Sequence, residues 1–328
     1  MNNTLYVATC VFNPNNSDTL ERLCAQFCCH MRDTKGVELH LVKLFQSDVV
    51  PFNAKNPFAW EKGLGKDHRE RHVFSKNILF HKENLLNLAI QGFPDDWQYG
   101  AILDADLHFS NPDWATHTVQ LLKEIPFIQP FDRYLSVSGQ SQADKGQKLE
   151  DRTSFGAQYV HGPSESYNWD IEHGQLSKEE HAPYGLAWAF TREAYEAIGG
   201  FYDKGILGNG DRVFVDGLTG TIHKNLEATF TQDYADTIKN YQEKVFNYAK
   251  GHISYTPGTV THYWHGSKRS RQYFKRNLIL QHHQYEPSKD VRYNEQGVLE
   301  LTGNKPEFQQ AIELYFHDRR EDETYVAK

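Results

Sequence analysis

Between Thr4 and Phe45 the chain runs through an apolar β-branched stretch, a helical apolar pattern and a second apolar stretch. "TLYVATCVF" is rich in β-branched and aromatic residues and stops at "NPNNSD", a turn leading to a helix start at Ser17 or Asp18. "TLERLCAQFCCHM" carries apolar residues at helical spacing, and "VELHLVKLF" reads as the next strand. A β-α-β unit crosses over with one hand and lays its two strands parallel. It therefore predicts an α/β chain whose ligands lie outside the carboxyl ends of the strands. With 328 residues, 39% of them hydrophobic, the chain has enough apolar material to bury a large core.

Further along, Pro51 to Arg71 mixes Pro, Gly, Asn and charge and reads as a loop. "HKENLLNLAIQGFP" is a helix stopped by Gly92 and Pro94, and "QYGAILDAD" a buried strand. "IPFIQPFDRYLSVS" suggests a strand pair, and the polar "GQSQADKGQKLEDRTS" an exposed loop or lid. "APYGLAWAF" is a short strand, followed by "TREAYEAIGGF", a helix with Thr191 as N-cap and Gly199 or Gly200 as C-cap. Helices are predicted over "TIKNYQEKVFNYAKG" and "PEFQQAIELYFHDRRED".

A net charge of −8 argues against a surface that is basic all over. The four cysteines, Cys10, Cys24, Cys28 and Cys29, crowd the start of the chain without the second ligand pair a zinc site needs, and read as reduced thiols. No run approaches the roughly 18 apolar residues of a membrane span, and the start has no basic signal region, so a cytoplasmic location is expected. Walker, GxGxxG and Gly-x-Ser-x-Gly patterns are absent, which disfavours a P-loop NTPase, a dinucleotide enzyme and a serine hydrolase.

Several residues can carry chemistry. Asp104 and Asp106 alternate with apolar neighbours, so in a strand they share a face, where their repulsion is relieved by a divalent cation such as Mn²⁺ or Mg²⁺. They can equally cap the turn before Asn111-Pro112. His262 and His265 in "THYWHG" offer imidazoles to a borderline metal, or are simply strand-end histidines among the 17 of the chain. Asp211 in "LGNGDRVF" sits where glycines at 205, 208 and 210 permit close approach of a ligand, as a general base or as an N-cap. The run Lys268, Arg269, Arg271, Lys275, Arg276 is either a phosphate-binding stripe or a solvated helix face.

In order along the chain, "FHKENLLNLAI", "ILDADLHF", "YGLAWAFTREAYEAIGGF", "GILGNGDRVF" and "THYWHG" resemble the motifs of GT-A-fold glycosyltransferases, most closely the beta-galactosyltransferase type. The resemblance covers roughly residues 4 to 275. It implies a GT-A (Rossmann-like) fold with a mixed, mainly parallel sheet flanked by helices over 1–275, a variable acceptor or lid region at 136–182, and a helical C-terminal extension over 276–328. It implies that Asp106 and His265 bind the metal, with His262 in place of the family's late methionine. Asp104 would support the donor, Asp211 would activate the acceptor, and Thr9, Phe12, Lys82 and Lys268 would contact the donor nucleotide. The chain departs from the family in having Ile206, Leu207 and Gly210 where the family's loop carries Trp and acidic residues.

The activity so implied is metal-dependent, inverting transfer of a sugar from a nucleotide sugar, with a UDP-sugar as the expected donor. The acceptor is either a surface glycan or a hydroxymethylated pyrimidine in DNA, as in soluble phage enzymes of this kind. Two competing readings are a catalytically silent nucleotide- or carbohydrate-binding module and a metal-dependent phosphoesterase.

Overall fold

The computed structural model describes residues 3–46, 68–161, 182–221, 230–267, 269–323 and 325–326. The opening unit forms as its pattern dictates. β1 (Leu5–Phe12) leads into α1 (Asp18–Asp33) and returns as β2 (Val37–Gln46), parallel to β1 in the register Leu5 to Val37. Ser17 caps α1 by accepting from the Leu20 amide, and Leu23, Cys24, Phe27, Cys28 and Met31 form its buried face.

The chain continues through β3 (His68–Ser75), α2 (Lys82–Ile90), β4 (Tyr99–Leu103), β5 (Leu107–Phe109), α3 (Trp114–Leu122), β6 (Phe127–Gln129), β7 (Arg133–Val137), β8 (Lys148–Thr153) and α4 (Phe155–His161). After β9 (Ala187–Thr191) come α5 (Arg192–Ile198), α6 (Gly210–Thr219), α7 (Gln232–Ala249), β10 (Ile253–Tyr255) and β11 (Thr259–His262). The last elements are α8 (Tyr273–His282), α9 (Pro287–Asp290), β12 (Val291–Tyr293), β13 (Leu299–Leu301) and α10 (Pro306–His317).

A seven-stranded sheet has the order β10-β6-β9-β4-β1-β2-β3. It is parallel except at β9, which runs against both β4 and β6. A second sheet, β5-β11-β7-β8, abuts it, and a hairpin pairs β12 with β13. The chain passes from the first sheet to the second between β4 and β5, so residues 104–106 form the hinge between two sheets.

Four expectations need correction. Residues 68–71, assigned to a loop, belong to β3, which completes the parallel edge beside β2; residues 51–67 lie outside the described part. Residues 148–153, assigned to an exposed loop, form β8, because β7 offers a free edge that "KLEDRT" can pair antiparallel. The helix predicted through Asp322 ends at His317, and the residues after it turn back toward α1. The expected helical extension also contains the β12–β13 hairpin. It shares one apolar cluster with the first sheet, running from Tyr6 and Leu85 to Leu299 and Phe316.

Candidate active site

The turn 104–106 decides the geometry. Asp104 and Asp106 were expected on one strand face; both fall outside the strands, and the turn sends them to different partners. The Asp104 amide donates to Leu186 O at 2.8 Å, and its carboxylate meets Lys82 Nζ at 2.5 Å. Asp106 instead turns toward the end of β11, where its Oδ2 lies 2.9 Å from His265 Nε2 and 3.4 Å from His262 Nε2. Repulsion between the two aspartates is thus relieved by separate cationic or imidazole partners.

The ligand atoms of Asp106, His262 and His265 lie within 4.8 Å of one another, the one such group among the described residues. Burial lowers the His265 imidazole to about 4, helped by the Arg271 guanidinium and opposed by Asp106. The ring is neutral at pH 7, the form that ligates metal. Burial pushes the Asp106 carboxyl up, but the two histidines together hold it well below its ordinary value. Its Oδ1 is buried with no hydrogen-bond partner. An unpaired carboxylate oxygen beside imidazole nitrogens suits a borderline divalent ion such as Mn²⁺.

Beside this cluster, Lys82, Glu83, Asp104 and Asp211 line a small cavity of about 20 Å³, room for a water molecule, whose apolar walls include Trp188 and Phe214. Lys82 and Glu83 come from the first turn of α2 and Asp211 from the first turn of α6. The N-cap of α6 is Asn209, in the left-handed region at φ 82°, so Asp211 is not itself the cap. Gly185 lets the chain pass against it, since a Cβ there would stand 2.6 Å from Asp211 Oδ2. Burial works against the Lys82 ammonium, but Asp104, Asp211 and Glu83 hold its pKa above the ordinary lysine range.

Glu83 escaped the sequence reading. Burial, with Asp211 nearby and Lys82 opposing, raises its carboxyl to about 8. It packs under the glycine-rich loop, where a Cβ on Gly210 would come 2.4 Å from its Cδ. Two neighbouring charged residues opening a helix with no other charge, Lys82 and Glu83, were the available signal.

The remaining predicted residues divide. Thr9 is fully buried and its Oγ1 donates to Leu103 O at 2.7 Å, so its hydroxyl supports the aspartate turn from behind instead of facing a base. Phe12 sits edge-on to Phe80 and His81 at the start of α2. Lys268 lies outside the described residues. The rest of the basic run divides, with Arg269 and Lys275 exposed and Arg271 and Arg276 turned inward. Arg276 is buried and donates to Asn209 Oδ1 at 2.8 Å, Arg271 donates to His265 Nε2 at 2.9 Å, and Lys275 pairs with Asp318.

No family model matches the chain, and neither does any curated protein. Among solved structures, it is similar to the catalytic domain of Drosophila beta1,4-galactosyltransferase 7 in complex with xylobiose. The identity is 13%, with 94% of this chain and 98% of that one covered, at a TM-score of 0.38. A complex of the Drosophila enzyme with manganese, UDP-Gal and xylobiose matches at 14% identity, the same coverage and the same TM-score. Galactosyltransferase LgtC, with donor and acceptor sugar analogs, matches at 12% identity over 85% of this chain and 95% of that one, with a TM-score of 0.30. At these values the likeness is distant.

Proposed function

We propose that the chain is a metal-dependent, inverting glycosyltransferase that moves a hexosyl group from a nucleotide sugar, with UDP as the carrier, to an acceptor hydroxyl. The observation that carries this reading is the adjacency of two sites. The three-ligand cluster of Asp106, His262 and His265 stands next to a cavity with a lysine–aspartate pair and a further carboxylate, Asp211.

Asp106, His265 and His262 would hold Mn²⁺ or Mg²⁺, which when bound neutralises negative charge on a leaving diphosphate. Lys82, fixed by Asp104, keeps a positive charge at the carboxyl end of β4 for the donor. Asp211 takes the proton of the acceptor hydroxyl as that oxygen bonds to the anomeric carbon. The bond from that carbon to the diphosphate oxygen breaks with its electron pair leaving on the nucleoside diphosphate. Attack from the side opposite the leaving group inverts the anomeric centre.

A carbohydrate acceptor fits better than duplex DNA. Arg276, which would have met a phosphate backbone, is buried against Asn209, Lys275 pairs with Asp318, and the net charge is −8. The test is a screen of nucleotide sugars with Mn²⁺, reading nucleoside diphosphate release and product mass against simple glycans and hydroxymethylated DNA. Release with a glycan acceptor is expected, falling about 100-fold or more in Asp106→Asn and His265→Ala. Full turnover in both variants would remove the metal reading. Product on DNA alone would overturn the acceptor assignment, and binding without turnover for every pair would leave a silent module.

A further inference from the structure

The end of α10 and the residues that follow it touch two separate parts of the frame around the ligand cluster. At one end they are tied to the β1–α1 turn. Asn15 Nδ2 donates to Phe316 O at 2.8 Å and to Arg319 O at 3.1 Å, while Asp322 Oδ1 accepts from Ser17 Oγ at 2.8 Å and from the Thr19 amide at 2.9 Å. In the middle, Glu321 is buried and takes the Arg319 guanidinium at 2.8 Å. At the other end they grip the turn that carries His265. Trp264 Nε1 donates to Glu323 O at 2.6 Å, its ring meets Tyr325 edge-on at 5.2 Å, and a Cβ on Gly266 would stand 2.4 Å from Arg320 O.

We infer that the segment from Arg319 to Glu323 is a positioning strap for the metal ligand His265, holding the Trp264–Gly266 turn against the β1–α1 end of the first sheet. The inference rests on reading Asp106, His262 and His265 as a metal site. The geometry supports it in two ways. His265 follows the last residues of β11 in a stretch without regular structure, so strand pairing does not fix its ring. What fixes that stretch is contact from both sides: the Trp264 amide donates to Gly139 O at 3.1 Å, and the strap holds the indole and the Gly266 backbone. Gly266 lies at φ 93°, a conformation that places its backbone against the Arg320 carbonyl without a side chain between them. Partners one step behind a metal ligand orient it, and their loss costs about 10–100-fold in metal affinity.

Asp322 is the informative position, because it caps α1 and touches none of the three ligands. In the full-length chain, Mn²⁺ affinity is measured by the electron-spin signal of free Mn²⁺, well below the melting transition, for wild type, Asp322→Ala, Asp322→Asn, Trp264→Phe and His265→Ala. The expected result is about tenfold weaker binding in Asp322→Ala and Trp264→Phe. Asp322→Asn, which keeps the oxygen that accepts from Thr19, should stay near wild type. A strap that serves stability alone would lower the melting temperature of Asp322→Ala and leave Mn²⁺ affinity unchanged, and unchanged affinity in both Asp322→Ala and Trp264→Phe overturns the inference. If wild type binds Mn²⁺ no better than His265→Ala, the metal reading itself falls and takes the strap with it. Should Asp322→Ala not fold, Trp264→Phe alone decides.

Discussion

Glu83 shows how much a single buried group can say. Its carboxyl, about 8 in the fold against an ordinary 4.5, keeps its proton at pH 7 while the unfolded chain gives its proton up. For an acid raised in this way, the stability it contributes is fully present below about pH 4.5 and is lost as pH rises through about 8. Glu83→Gln removes that dependence. Denaturant melts from pH 4.5 to 8.5 should show the variant gaining on wild type, by about 2–4 kcal/mol at the alkaline end. A constant difference across the range would mean that Glu83 ionises freely in the fold. A neutral acid beside Asp211 also gives the cavity one hydrogen-bond donor and one acceptor carboxylate, the pairing that distinguishes hydroxyl groups by orientation.

At the level of elements, the site is held by helix-to-loop clamps made by asparagines. Asn87 on α2 accepts from the Phe201 amide at 2.9 Å and from the Tyr195 hydroxyl at 3.1 Å, and it donates to Phe201 O at 2.8 Å. That ties the Leu-Leu-Asn of one motif to the Gly-Gly-Phe of another, over a hundred positions apart in the chain. Asn84 and Asn77 accept from the Leu299 and Leu301 amides at 3.0 Å each, pinning the β12–β13 hairpin to α2 and the strand end before it. Asn87→Ala leaves the Phe201 backbone groups without partners and is expected to cost about 2–3 kcal/mol, measured by urea melting. A loss under 0.5 kcal/mol would show that water replaces the clamp without penalty. On the far side, Arg276 of α8 reaches Asn209 and packs where a side chain at Gly208 would stand, so a late helix shapes the glycine-rich loop.

For the molecule as a whole, the ligand cluster joins chain regions more than 150 residues apart, and metal binding should register in global stability. An ion that binds only the folded state adds about 2.7 kcal/mol at a hundredfold excess over its dissociation constant. Thermal melts of wild type should therefore rise with Mn²⁺ and return with a chelator, while His265→Ala should not respond. Equal shifts in both would place the ion elsewhere. Among the described residues no helix is long and apolar enough to cross a membrane.

Local pattern determined a good deal here. The parallel β-α-β opening and the Thr191 and Gly199 caps of α5 were legible, because periodicity and capping chemistry are written in neighbouring residues, whereas the company of Asp106 with His262 and His265 was implied only by the order of motifs along the chain. Tertiary structure decided what depends on partners far along the chain. It put Asp104 against Lys82 and Asp106 against the histidines, buried Arg276 under the glycine-rich loop, buried the Thr9 hydroxyl behind the aspartate turn and ended α10 early so that Asp322 could cap α1. A side chain's charge and length set what it can bond. Which group stands within about 3 Å of it is set only when the sheets and helices close around one core.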